Sequence, residues 1–177
     1  MSLPRDASLG SAKTLQRAAI TEFLALTASK APTPGGGSCA AVATALSAAL
    51  IEKVAGKAQK RNRSAAPLCA QARIIRLRAT RAIQADAQAY LRVVTASRRK
   101  NLRALVRALR SAARVPQGVA HDARTLGRLS QRLLTMSSPV WRSDVVCAHD
   151  LAQASERASL GFVYANRAYL KQCLRKP

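Results

Sequence analysis

The fold is decided by residues 32–51, which read PTPGGGSCAAVATALSAALI. Two prolines fix φ and three consecutive glycines permit otherwise strained backbone, so the first part of this stretch predicts a turn. The alanine-rich part predicts a helix from Ser38 to about Lys57. Its larger apolar residues recur at helical spacing: Val42, Leu46 and Leu50. Because small side chains let helices approach closely on several sides, we expect this helix to lie at the centre of a bundle.

The composition favours helices and carries a large positive charge. Apolar residues make up 49% of the 177 residues and aromatic residues only 3%, which favours packed helices over sheets. A chain of this length forms one compact domain by default. Thirty Lys and Arg residues oppose eight Asp and Glu residues, so the formal net charge is +22. Charge alone leaves nucleic acid, acidic lipid surfaces and anionic small molecules open as partners.

Further helices are predicted on both sides of the central one. Thr21 is predicted to cap a short helix, and Ser64 to start a long helix that reaches about Ser97. The remaining predicted segments are a helix over 101–114, a basic amphipathic helix that follows a kink or restart at Pro116 and Gly118 and ends near Met136, and a last helix over 143–173. The prediction is an all-α, single-domain bundle of about five to six helices over residues 20–177, with residues 1–19 as a loose tail.

The long helix carries a carboxylate on its predicted apolar face. Residues recur there every three to four positions: Leu68, Ala72, Ile75, Ala79, Ile83, Asp86, Tyr90 and Val94. Partial burial would raise the pKa of Asp86 toward the range useful for proton transfer near neutrality. The alternative is a structural aspartate that forms a buried ion pair with one of the arginines. The sequence leaves both interpretations open at this point.

Three stretches together resemble the cyclodeaminase/cyclohydrolase family of folate one-carbon enzymes. The first is the PTPGGGS segment at 32–38 before its small-residue helix, and the second, ADAQAY at 85–90, is similar to the family's D-A-x-A-F motif. The third, RSD at 142–144, matches the family's S-D motif, and Asn166 falls on a family asparagine without a gap. The resemblance covers about residues 20 to 170.

The resemblance implies a helical, usually dimeric enzyme that closes or opens the imidazoline-like ring of a tetrahydrofolate one-carbon adduct. Family members act on 5-formiminotetrahydrofolate, releasing ammonia, or on 5,10-methenyltetrahydrofolate, adding water. A tetrahydrofolate derivative is then the substrate, without a prosthetic group, and Asp86 falls on the proton acceptor. The implied substrate-binding residues are Pro34, Gly35, Gly36, Gly37, Ser38, Arg61, Tyr90, Ser143, Asp144 and Asn166.

Several of these residues also have a purely structural interpretation. The glycine segment can bring backbone N–H groups close to a ligand, or it can be an ordinary turn between helices. Ser143 can be a helix cap, and Asp144 suits the positive end of a helix dipole. Arg61 can belong to a solvated run of charges.

The sequence departs from the family pattern at three positions. Gln84 replaces the first aspartate of the D-x-D-A pattern, Ser155 replaces a glycine, and Phe162 replaces an asparagine of the last helix. Packing tolerates such substitutions more readily than a ligand site does. These positions therefore bear on activity more than on fold.

A second functional hypothesis comes from the charge. The predicted fourth helix places arginines on one side: Arg103, Arg107, Arg110 and Arg114. The chain can therefore be a catalytically weakened family member whose arginine-rich surface binds nucleic acid or another polyanion. Against this hypothesis, the few aromatic residues are scattered, and no nucleic-acid-binding motif is recognisable.

The cysteines and histidines indicate neither a metal site nor a disulfide framework. The four cysteines are far apart without a CxxC pair, and only two histidines occur, His121 and His149. We therefore expect a cytoplasmic protein with reduced thiols, although the serine- and arginine-containing tail leaves organelle targeting open. The most apolar run, residues 39–51, is too short to span a bilayer, so no membrane partner is expected.

Overall fold

The computed structural model of the chain describes residues 19–175, and the predicted tail lies outside this range except for Ala19. No strand occurs among the described residues, and five α-helices follow one another through short turns. They are α1 (Ile20–Thr27), α2 (Gly36–Ala58), α3 (Ala66–Arg98), α4 (Leu102–Leu134) and α5 (Arg142–Arg175). The predicted all-α bundle is confirmed.

The helix α2 packs against α3, α4 and α5, but α4 also packs against three helices and one face of α2 is left partly exposed, so the predicted central position of α2 is not found. Its polar side chains bond to neighbouring helices: the Ser47 hydroxyl donates to the Ala148 carbonyl over 2.6 Å, and the Thr44 and Ser155 hydroxyls lie 2.6 Å apart. By length and composition the whole of α2 is long and apolar enough to cross a membrane. The apolar stretch is therefore longer than residues 39–51, the run that by itself is too short to span a bilayer. Its contacts are those of a core helix.

Apolar side chains form two larger clusters along the bundle. One surrounds the C-terminal half of α2 and includes Ile51, Val54 and Leu126. The other joins the end of α3, the start of α4 and the end of α5, and includes Leu105 and Leu109. The N-terminus of α2 is held by a smaller cluster around Phe23, Ala41 and Ile83.

Two predicted helix starts are wrong in detail. α1 begins at Ile20 with Ala19 at the N-cap, so Thr21 is not its cap and no side chain takes that role. α3 begins at Ala66 after a 3₁₀ turn over Arg63–Ala65, in which the Asn62 side chain accepts the Ser64 N–H. This local side-chain bond closes the turn before the helix and displaces the predicted start.

Of the predicted kink or restart at Pro116 and Gly118, the restart is wrong, because α4 is one continuous helix with Pro116 inside it. Proline removes one backbone hydrogen bond of the helix, the one that would reach the Ala112 carbonyl. Burial of the apolar face of α4 along its whole length keeps the helix intact, with Leu109 and Leu126 fully buried on either side of the proline.

The buried face of α3 differs from the predicted stripe beyond Asp86. Residues Leu68 to Ile83 of the stripe are buried, but Tyr90 is 49% exposed. In its last turns α3 instead buries Ala89, Val93 and Ala96 against α4 and α5. Along its 33 residues α3 packs against different helices, so the buried side of the helix shifts toward its C-terminus. A fixed spacing of three to four residues does not predict such a shift.

Candidate active site

A cavity of about 370 Å³ lies where the start of α2 meets α3, α4 and α5. The glycine segment and Asp86 form one wall, and Tyr90 and Asn166 stand beside them. The remaining lining residues are apolar or small: Pro32, Thr33, Ala89, Ala112, Phe162 and Ala165. The structure thus brings together the predicted residues Asp86, Gly35, Gly36, Gly37, Tyr90 and Asn166.

Asp86 lies on α3 with its carboxyl group at the N-terminus of α2. The Ser38 hydroxyl lies 3.1 Å from Asp86 Oδ2 and 3.0 Å from the Ile83 carbonyl oxygen, and the Ser38 backbone N–H donates to the same carboxyl group. Gly35 occupies the N-cap position of α2 and offers no side chain. Asp86 therefore supplies, from another helix, the acceptor that a Ser or Asp cap would supply.

The environment of Asp86 changes its acidity in a definite direction. Burial raises the pKa of Asp86 above its ordinary value of 3.8, and the two hydrogen bonds from Ser38 oppose this rise. Desolvation penalises the charged carboxylate, whereas the hydrogen bonds stabilise it. The result is a carboxyl group that binds a proton more readily than an exposed aspartate while its position stays fixed. A general base near neutrality needs both properties.

Two of the three glycines are required by close contacts. A Cβ on Gly37 would overlap the Asp86 carboxyl group, and a Cβ on Gly36 would lie 2.5 Å from Phe162 Cζ. A Cβ on Gly35 would meet nothing within 4 Å. The second and third glycines therefore let a carboxylate and an aromatic ring lie directly against the first turn of α2.

Asn166 bonds to a backbone carbonyl of α4 that has no N–H partner within the helix, because a proline stands four residues further on. The Asn166 side-chain amide donates to the Ala112 carbonyl oxygen over 3.5 Å, a long hydrogen bond. In an uninterrupted helix that oxygen would accept the N–H of residue 116, which is Pro116 here. Nothing in the sequence links Pro116 to Asn166, so this relation was not predicted.

The structure does not support Asp86 as the partner of a buried arginine. Among the described residues, the ion pairs join other carboxylates to Lys or Arg, and Asp86 bonds only to Ser38. The buried carboxylate paired with an arginine is Asp122, which bonds to Arg78 and links α4 to α3. Asp122 has the structural role that was the alternative for Asp86.

Two other predicted binding residues, Arg61 and Asp144, lie at the opposite end of α2. Arg61 follows the C-terminus of α2 and lines a separate cavity with Lys57 and Trp141. Asp144 forms an ion pair of 2.8 Å with Lys53, whose Nζ lies 4.9 Å from the centre of the Trp141 ring. Since α2 has 23 residues, its two ends are about 34 Å apart. Within one chain Arg61 therefore cannot contact a ligand bound at the N-terminus of α2.

Ser143, Ser38 and Pro34 also take positions that the sequence did not define. Ser143 is the second residue of α5 rather than its cap, and it faces a shallow surface depression. Ser38 is fully buried and reaches the cavity only through Asp86. Pro34 is buried in the turn and does not line the cavity.

The three departures from the family pattern have different surroundings. The Ser155 hydroxyl is buried and donates to the Ala40 carbonyl over 2.8 Å, so it adds a bond between α5 and α2. Phe162 lines the cavity beside Gly36 and makes its wall more apolar. Gln84 is partly buried on α3 and does not line the cavity.

These features define an all-helical domain with a desolvated carboxylate held against a glycine-rich helix start. Residues 19–174 match the sequence profile described as formiminotransferase-cyclodeaminase, and the chain belongs to this family. Among solved structures it is similar to formiminotetrahydrofolate cyclodeaminase from Thermotoga maritima, with 26% identity and a TM-score of 0.81. That match covers 90% of this chain and 86% of the other. A comparison with curated protein sequences gives no match.

Proposed function

We propose that this chain is a folate one-carbon enzyme, a formiminotetrahydrofolate cyclodeaminase or a methenyltetrahydrofolate cyclohydrolase, with Asp86 as proton acceptor and donor. The observation that carries the proposal is the position of Asp86. Its carboxyl group is desolvated, fixed by Ser38 and exposed to a cavity whose other wall is the glycine segment. Family membership and the similarity to a cyclodeaminase from Thermotoga maritima support the folate substrate class.

The chemistry requires one group that both takes and returns a proton. In the cyclodeaminase reaction, the second folate nitrogen attacks the carbon of the protonated formimino group, which becomes an amino group, and gives its own proton to Asp86. The same proton then passes to the amino group, which leaves as ammonia when its bond to that carbon breaks. In the cyclohydrolase reaction, water adds to the methenyl carbon and Asp86 takes one of its two protons. The ring nitrogen receives that proton as its bond to the carbon breaks, and the second proton of the water is released to solvent as the formyl C=O forms. The raised pKa of Asp86 suits both directions.

The cavity offers groups that would hold a flat, polar ring system. Gly36 and Gly37 present the first turn of α2, whose backbone N–H groups have few partners inside the helix. Tyr90 and Phe162 provide aromatic surface, and Asn166 provides an amide. The large net positive charge of the chain would attract the carboxylates of a folate.

A homodimer would bring the two separated groups of residues together. The outer face of α2 is apolar and only partly covered, with Leu46 half exposed and Val42 and Leu50 partly buried. If two copies pair through this face with antiparallel α2 helices, the start of one α2 lies beside the end of the other. The partner's Arg61 would then stand near the Asp86 cavity. This arrangement accounts for motif residues at both ends of one helix.

The proposal is tested by offering each folate adduct to the purified chain. Loss of the absorbance of 5,10-methenyltetrahydrofolate would identify a cyclohydrolase, whereas release of ammonia from 5-formiminotetrahydrofolate would identify a cyclodeaminase. Either result supports the proposal. Binding of both adducts without turnover of either would exclude an enzyme and leave a folate-binding protein.

A further inference from the structure

One end of the bundle carries eleven Lys and Arg side chains and no carboxylate. It consists of residues 87–114, which span the end of α3, the following turn and the start of α4, and of residues 167–175 at the end of α5. These segments pack together around an apolar cluster that includes Leu105 and Cys173. All eleven cationic residues are exposed. We call this surface the basic end.

The ion pairs between described residues all lie outside the basic end. Arg76, Arg78 and Arg124 are each paired with a carboxylate on a neighbouring helix. On α4, by contrast, Arg103 and Arg107 are four residues apart and face the same side. Like charges at this spacing repel each other, so an anionic partner would relieve the repulsion.

A groove of about 520 Å³ runs across the basic end between α3 and α4. Arg92, Arg99 and Arg107 line it, together with the shorter hydrogen-bonding side chains of Thr95, Asn101 and Ser111. Arginines on α4 continue along one face from Arg103 to Arg114, a span of about 16 Å at 1.5 Å per residue. The groove and the adjoining face can therefore meet several phosphate groups in succession.

We infer that the basic end binds the phosphate backbone of a nucleic acid without sequence preference. Nine of its eleven cations are arginines, whose planar guanidinium groups bind phosphate through two hydrogen bonds. No aromatic ring lines the groove, so bases have no stacking surface there. An anionic membrane fits less well, since the apolar face of α4 is buried in the core and cannot insert into lipid. The inference does not depend on Asp86.

The test compares two triple variants of the full chain. Arg99→Gln, Arg103→Gln and Arg107→Gln remove charge from the basic end, whereas Arg63→Gln, Arg73→Gln and Arg132→Gln remove the same charge from exposed positions outside it. Binding to labelled single- and double-stranded oligonucleotides of about 20 nucleotides is measured by anisotropy between about 50 and 200 mM salt. Circular dichroism verifies that both variants are folded.

The first variant should bind about tenfold or more weakly than the wild type, and its salt dependence should be shallower by about two in log–log slope. The second variant should keep nearly the wild-type affinity. Equal weakening of both variants would mean that the whole molecule attracts polyanions without a defined surface. Absence of oligonucleotide binding, or binding only to phosphatidylserine vesicles, would also overturn the inference.

Discussion

Asp86 combines two roles that aspartates usually fill at different positions. It accepts the backbone N–H of Ser38 and so caps α2, and it faces the cavity as a desolvated acid. The carboxylate with the purely structural role is Asp122, bonded to Arg78. The sequence predicted that Asp86 would be partly buried, but it could not distinguish an arginine partner from a helix N-terminus, because that choice depends on contacts between distant helices.

Replacing Asp86 with Asn should leave the melting temperature at neutral pH unchanged or slightly raised. Asn keeps the acceptor oxygen for Ser38 but carries no charge to desolvate. Because the folded-state pKa of Asp86 is raised, its contribution to stability is fully present below the unfolded value of 3.8 and is lost as the pH rises through the folded value. The melting temperature of the Asn variant relative to the wild type should therefore rise as the pH is raised from about 4 toward neutrality.

Thermal unfolding of both proteins across this pH range measures the effect. A variant that melts far below the wild type at neutral pH would show instead that the negative charge of Asp86 holds the fold together. Asp122→Asn serves as the comparison, because it weakens the bonds of a buried carboxylate to the half-exposed Arg78 and should cost about 1–3 kcal/mol.

Gly37→Ala should reduce turnover by about tenfold or more with little loss of stability. The new methyl group would overlap the Asp86 carboxyl group, which can rotate away at the cost of its position. Gly127→Ala is the matched control, since its methyl group meets nothing within 4 Å and Gly127 lies in α4 away from the cavity. Steady-state kinetics of the two variants should differ sharply. Equal activities would mean that the position of Asp86 does not matter for catalysis.

At the level of helices, the sequence predicted the order of the helices and their number to within one, but not every boundary. Apolar periodicity identified α2, α3 and α5, since burial of one face determines where a helix can form. Side-chain capping at Asn62 and the continuity of α4 through Pro116 were missed. A proline normally interrupts a helix, and only packing on both sides of it, which sequence does not reveal, keeps α4 whole.

Pro116→Ala tests whether the interruption in α4 serves the site. Alanine restores the helical hydrogen bond to the Ala112 carbonyl but loses the packing of the proline ring. The net effect should be a rise in the free energy of unfolding of about 1–2 kcal/mol. Asn166 then competes for that oxygen, so KM should rise a few-fold. Gly118→Ala is the control, because it also favours the helix but touches no site residue. Urea unfolding measures the stability of the two variants, and steady-state kinetics measures their KM. An unchanged KM in both variants would show that Pro116 does not influence the site.

At the level of the whole molecule, the predicted site residues fall into two groups at the ends of α2. Sequence order placed Arg61 and Asp144 with Asp86 in one site, yet the length of α2 separates them within a chain. A motif match gives each residue its position along the chain but not the copy of the chain that supplies it. The proposed antiparallel dimer resolves this separation.

The dimer makes a specific prediction for mixtures of inactive variants. Asp86→Asn and Arg61→Ala should each be inactive or weak alone. When they are co-expressed, half of the dimers are mixed, and each mixed dimer has one site with both residues intact, so about a quarter of the wild-type activity should return. Sedimentation should show a dimer at micromolar concentration. A monomer, or no recovery of activity in the mixture, would contradict the arrangement.

The proposed function requires that Asp86 carries the proton in turnover of a tetrahydrofolate adduct. The most direct measurement is the rate of turnover of the adduct that the wild type accepts, by wild type and by Asp86→Asn, with binding of that adduct measured in parallel. We expect the variant to bind it with similar affinity but to turn it over about 10²–10⁴ times more slowly. A rate within a few-fold of the wild type, in a variant that is folded and binds the adduct, would contradict the claim.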